Sequence, residues 1–184
     1  KHPTPLHNKF LVIHLNFAVI DAELGNYRSS LDSHCSIAFE SFCRIYHSLL
    51  PEGTREKVMA EHGCVKQLEQ LYIICKEAGL KIYLFIDEYD HFTNNILSDA
   101  ARLQEYKSET HGTGYLRTFF DTIKSGTYSS IERVFVTGVS PVTLDDLTSG
   151  FNIGTNYSLS YEFNEMVGFT EQEVRDMLTY YSST

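Results

Sequence analysis

The chain has 184 residues, 42% hydrophobic and 21% charged, the balance of an ordinary globular protein with a sizeable core in one domain spanning 1–184. A formal net charge of −9 argues against wide contact with nucleic acid or anionic lipid and leaves only a local basic groove open. No run of about 18 apolar residues exists to cross a membrane, and the opening "KHPTPLHNKF" lacks the apolar stretch of a secretory leader.

The first element, "FLVIHLNF" (Phe10 to Phe17), reads as a buried strand. Its first four apolar residues do not alternate, which suits a parallel strand covered on both faces. A long amphipathic helix follows, with Leu31, Cys35, Ala38, Phe42, Ile45 and Leu49 at steps of three and four. Pro51 and Gly53 break it. A second helix carries Val65, Leu68, Tyr72 and Cys75 on one stripe and stops near Gly79.

"KIYLFIDEYDHF" (Lys81 to Phe92) comes next: an apolar strand that runs straight into Asp87 and Glu88. Thr93 to Tyr106 reads as helix and Ser108 to Gly114 as loop. Leu116, Phe119, Phe120 and Ile123 mark a further helix closed by Gly126. "RVFVTGVS" (Arg133 to Ser140) is a third apolar strand, and Ser140 with Pro141 has the form of a helix cap. "DDLTSGFNIGTN" is turn-rich, and Tyr157 to Ser160 reads as a short fourth strand. Thr170 and Glu173 have capping-box spacing; they open a last helix whose buried side is expected to be Val174, Met177, Leu178 and Tyr181.

Strands alternating with helices predict an α/β fold, a mostly parallel sheet with helices on both sides. The four cysteines, Cys35, Cys43, Cys64 and Cys75, form no C-x-x-C pair, and three lie on helical apolar stripes. Buried free thiols in a reducing cytoplasm are expected. A zinc site would have to combine Cys43 and His47, one turn apart, with His34 or His62, without the usual two-pair ligand spacing.

In such folds ligands bind at the carboxyl ends of the strands. Asp87, Glu88 and Thr137 share that rim if the second and third strands are neighbours. A carboxylate at the tip of a buried strand is held rigidly and can bind a hydrated magnesium ion, which needs few protein ligands. A second carboxylate beside it can polarise water for in-line attack on a phosphoryl group. The form is that of a Walker B element, and the bland alternative is two acids simply solvated at a strand end. Thr137 can sense a terminal phosphate or be merely a good strand residue. Arg117, one turn into its helix, can neutralise transition-state charge or be an exposed helix arginine with a carboxylate neighbour. Asp90 can add charge near the metal or cap the turn. "GTG" is not a phosphate loop, since the third glycine and the lysine are absent.

Four runs, "YLFIDEYDHFTNNILSD", "GYLRTFFDTIK", "RVFVTGVSPVTLDDLTSGFNIGTN" and "FNEMVGFTEQEV", together resemble the predicted AAA-ATPase-like family. That family is abundant in gut and other anaerobic bacteria, and its members often carry a nuclease-like domain of the PD-(D/E)xK type. The resemblance implies a three-layer P-loop fold binding Mg2+ and ATP. Asp87 then matches the Walker B metal ligand, Glu88 the water-orienting residue and Thr137 the sensor. Family members carry a Gly-Lys-Ser/Thr phosphate loop after a first strand that precedes "FLVIHLNF", whereas here no glycine is followed by lysine. The chain is therefore expected to be inactive without that upstream loop, and the absent strand should leave an edge beside "VFVTG". Pairing by another segment or chain, rearrangement of the sheet, or association through the edge is expected there. The alternatives are a non-catalytic scaffold or regulator and, less in keeping with the acidic surface, a two-carboxylate nuclease.

Overall fold

The computed structural model describes residues 4–21, 26–91, 114–139, 153–163 and 168–182. These residues belong to two compact units, 1–152 and 153–184.

Among the described residues the first unit has three strands: β1 (Leu11–Asn16), β2 (Ile82–Asp87) and β3 (Ile131–Val136). They form one parallel sheet in the order β1-β2-β3, so the acid-tipped strand is central. The register sets Asn16 beside Asp87 and Phe85 beside Phe135. Between β1 and β2 come α1 (Tyr27–Ile45), the short α2 (Thr54–Met59) and α3 (Cys64–Glu77); α4 (Tyr115–Thr127) precedes β3. This is a mixed α/β fold with a parallel sheet and flanking helices, in keeping with a P-loop-like architecture.

Both crossovers step the same way across the sheet. With the usual right hand, that sends their helices to the same face. Accordingly α1, α3 and α4 pack side by side, and their buried residues share one core with the strands. Leu11, Ile13 and Leu15 of β1 and Ile82, Leu84 and Ile86 of β2 point into it. Burial therefore alternates along β1 and β2, although the sequence of β1 does not. Among the described residues the second face, with Val12, His14 and Phe135, is exposed.

Several local expectations hold. Leu116, Phe119, Phe120 and Ile123 are all buried, as are the four cysteines, which are free thiols. Burial raises the thiol pKa of Cys43 to about 11 and that of Cys75 to about 12. Gly79 adopts φ +69, and the Leu80 N–H donates back to the Cys75 carbonyl at 2.8 Å, a left-handed helix stop.

Others are corrected. Helix α1 ends at Ile45, so Leu49 lies beyond its periodic stripe; Ile45 and Leu49 are exposed, while Phe39 and Cys43 complete the buried side. Helix α4 does not close at Gly126. It runs to Thr127, and Gly126 is needed inside its last turn, because a Cβ there would meet Ile131 Cδ1 at 2.4 Å. The sheet is not rearranged, and no described segment pairs with the outer edge of β3.

In the second unit, Tyr157 to Ser160 is not a strand. It is a turn leading into a 3-10 helix, Tyr161–Phe163. Helix α5 (Glu171–Ser182) opens on the expected reciprocal cap: Thr170 N–H donates to Glu173 Oε2 at 2.8 Å, and Glu173 N–H donates to Thr170 Oγ1 at 3.2 Å. Its expected buried side is exposed: Val174, Met177, Leu178 and Tyr181 find no core within their unit. A segment this short cannot enclose one. The helix expected over Thr93 to Tyr106, most of the loop at 108–114 and the cap at Ser140 lie outside the described residues.

Candidate functional site

At the carboxyl rim, β2 ends on Asp87 and β3 runs directly into Thr137. The parallel ladder continues one step past the strands: Thr137 N–H donates to the Ile86 carbonyl at 2.9 Å, and Tyr89 N–H donates to the Thr137 carbonyl at 3.1 Å. This brings the two side chains together. Thr137 Oγ1 donates a hydrogen bond to Asp87 Oδ1, and the same oxygen accepts Glu88 N–H at 3.1 Å. The adjacency expected of Asp87, Glu88 and Thr137 is thus present on one rim.

Glu88 leaves the strand by a left-handed turn, with φ +55. That conformation is uncommon for a residue with a Cβ and clusters at functional positions. His91 N–H donates to the Glu88 carbonyl at 3.0 Å and closes the turn. Glu88 is partly exposed.

Asp90 is fully buried. Val139 N–H donates to both its oxygens, at 3.1 Å and 3.0 Å. The carboxylate expected to add charge beside a metal is engaged with the backbone after β3. Arg117 sits in the first turn of α4, where its Nε lies 3.8 Å from Asp121 Oδ2, one turn further on. The carboxylate neighbour of its plainer alternative is thus present, on the same helix.

A shallow pocket of about 220 Å³ lies below the rim, lined by His14, Phe85, Ile86, Asp87, Phe135 and Thr137. His14 belongs to this site and was not singled out from the sequence. Its signal is a lone imidazole inside the apolar run of β1, two residues before the strand end that pairs with Asp87. Nearby, Asn16 N–H donates to His34 Nε2 at 3.3 Å, and burial, then the His14 charge, lowers the pKa of His34.

The suggested zinc ligands do not converge. His47 Nδ1 is 3.0 Å from the Arg44 carbonyl, and among the described residues no three His, Cys, Asp or Glu side chains group to hold a metal. A magnesium ion held through one carboxylate and water requires no such group. Asp87 fits that limited role: Oδ1 is occupied by Thr137 and Glu88, whereas Oδ2 takes no hydrogen bond among the described residues.

A parallel sheet whose central strand ends at Asp87, hydrogen-bonded to Thr137 just past the next strand, is consistent with an α/β protein of the P-loop-like class. The family model for predicted AAA-ATPases matches residues 1–148, and the chain belongs to that family. The match ends close to the boundary of the first unit at residue 152. No curated protein and no solved structure matches the chain.

Proposed function

We propose that this chain carries the Walker B and sensor portion of an ATP-hydrolysing site. Asp87 would hold the magnesium of Mg-ATP. Glu88 orients the attacking water. Thr137 fixes Asp87 and reads the terminal phosphate. Arg117 neutralises charge on the phosphoryl group when it turns away from Asp121. The observation that carries this reading is the Thr137–Asp87 hydrogen bond at the carboxyl rim, with Glu88 turned out of the strand beside it. When bound, magnesium would supply charge neutralisation across the phosphates.

Backbone N–H groups and a lysine must still grip those phosphates. The 184 residues contain no Gly-Lys pair, so the loop has to come from elsewhere in the protein. The outer edge of β3 is where a strand leading into that loop would pair, and self-association through the same edge is its competitor. Four buried free thiols suit a reducing compartment such as the cytoplasm.

The absence of a Gly-Lys pair also favours a second reading, a non-catalytic scaffold or regulator. The two separate in the whole natural protein. For the ATPase, Mg-ATP binds and Glu88→Gln lowers kcat by roughly 10²–10⁴-fold with binding retained. For the scaffold, nucleotide does not bind and Glu88→Gln changes nothing measurable by calorimetry or phosphate release.

A further inference from the structure

The buried Asp90 carboxylate and the backbone at Gly138 meet just after Glu88 in the chain. We infer that Asp90 is a positioning residue: by clasping Val139 N–H it locks the end of β3 against the Glu88 turn and so aims the Glu88 carboxylate. This rests on the ATPase reading of the site and assigns its support.

Three observations converge. Asp90 is fully buried, and both its oxygens face the same N–H, at 3.1 Å and 3.0 Å. A hydrogen bond to a buried carboxylate is costly to break, so this clasp resists opening. Second, the clasp requires Gly138. A Cβ there would lie 2.4 Å from Asp90 Oδ1 and 2.4 Å from Tyr89 Cε1, so only glycine lets the backbone after Thr137 approach so closely. Third, Tyr89 N–H bonds the Thr137 carbonyl. Tyr89 and Asp90 are therefore each fastened to 137–139, once by backbone and once by side chain.

Glu88 directly precedes those fastenings, between Asp87, which accepts from Thr137 Oγ1, and Tyr89, which donates to the Thr137 carbonyl; its φ of +55 is a conformation that persists only where its surroundings hold it. The chain of support runs from Asp90 through Val139 and Gly138 to Thr137, which in turn holds Asp87. One buried clasp thus aligns the sensor hydroxyl, the metal carboxylate and the water-orienting carboxylate. The sequence "DEYD" (87–90) followed by "TGV" (137–139) encodes both halves of the device.

The test uses the whole protein with Asp90→Ala, Asp90→Asn and Gly138→Ala, each checked for a cooperative thermal transition. Amide hydrogen exchange should quicken at least tenfold at Val139 and Tyr89 in Asp90→Ala and Gly138→Ala, while Leu84 in the sheet interior stays protected. Asp90→Asn keeps one acceptor oxygen and should restore part of the protection. In ATP hydrolysis, Asp90→Ala should lower kcat roughly tenfold to a hundredfold with KM for Mg-ATP unchanged. Combined with Glu88→Gln it should add no further loss, because Asp90 acts through Glu88. Unchanged exchange at Tyr89 overturns the inference. So does a wild-type protein that hydrolyses ATP while Asp90→Ala leaves kcat untouched or alters KM alone. A wild type without hydrolysis whose exchange responds as expected sinks the ATPase reading and leaves the clasp standing. Should Asp90→Ala fail to fold, Asp90→Asn and Gly138→Ala carry the same comparison.

Discussion

The two edges of the sheet are finished differently. Along β1, helix α1 supplies side chains to the outer backbone: Val12 N–H donates to Tyr46 Oη at 3.0 Å, and Asn16 N–H donates to His34 Nε2. Along β3 no described side chain or strand pairs with the outer backbone, and Phe135 stands 39% exposed. Edge strands left open invite pairing, and natural proteins blunt them with side chains, charges or cover. The β1 edge is blunted in this way, as a terminal strand should be. The β3 edge has the composition of an interior strand: Val134, Phe135 and Val136 in a row, with Arg133 as its one charge after Glu132. This contrast supports the view that β3 normally has another neighbour.

The largest expected effect separates the closed region from the open one. Phe119 is fully buried and packs against Phe17 and Phe120, with ring centroids 6.1 Å from each. Phe119→Ala should cost about 3–5 kcal/mol in urea unfolding. Phe135→Ala at the open edge should cost under about 1 kcal/mol. Near-equal losses would break the contrast, because Phe135 would then be covered in solution. Repeating Phe135→Ala over a hundredfold range of protein concentration sharpens the point, since only association makes its cost depend on concentration.

A smaller effect tests the finished edge. Tyr46→Phe keeps the ring, which sits 5.0 Å from that of Phe42, and removes only the acceptor for Val12 N–H. The expected loss is about 0.5–1.5 kcal/mol, reduced because water reaches this bond. Faster exchange at the Val12 amide should accompany it. No change in either would mean that Tyr46 packs without capping.

Much of this arrangement was legible in the sequence because strand ends are local. The run Ile82 to Ile86 followed by Asp87 and Glu88 could only be a buried strand meeting a rim. Parallel topology then brought Thr137 alongside. Which face the described helices cover was not legible. Val12, Tyr83, Phe85 and Phe135 are as apolar as residues meant for a covered face, and composition says what a face tolerates, not what covers it. Helix α2 escaped because six residues carry less than two turns of periodic signal. The cap at Thr170 was readable since both partners lie within one turn, whereas the burial of Met177 and Leu178 depends on a partner that periodicity cannot name. Asp90 was read as a possible ligand because its clasp joins residues 49 positions apart. Its hallmark, a glycine after Thr137, makes sense only once the strands are side by side.

The smallest effect probes the second support of the β1 edge by titration. His34 accepts Asn16 N–H through Nε2, and burial with the nearby His14 holds its pKa below the ordinary value of 6.5. In the unfolded chain the imidazole takes a proton near 6.5, so below that pH the unfolded state binds more protons than the folded one. Stability should therefore be undiminished above pH 6.5 and should fall as pH drops through the lowered folded value, where it levels off. Protonation also turns the acceptor nitrogen into a donor facing Asn16 N–H, so the loss is lodged at the strand end beside Asp87. Urea midpoints between pH 8 and 5 should show this slope in the wild type and a flatter one in His34→Gln. A variant that retains the full slope would move the titrating group elsewhere and leave the β1 edge resting on Tyr46.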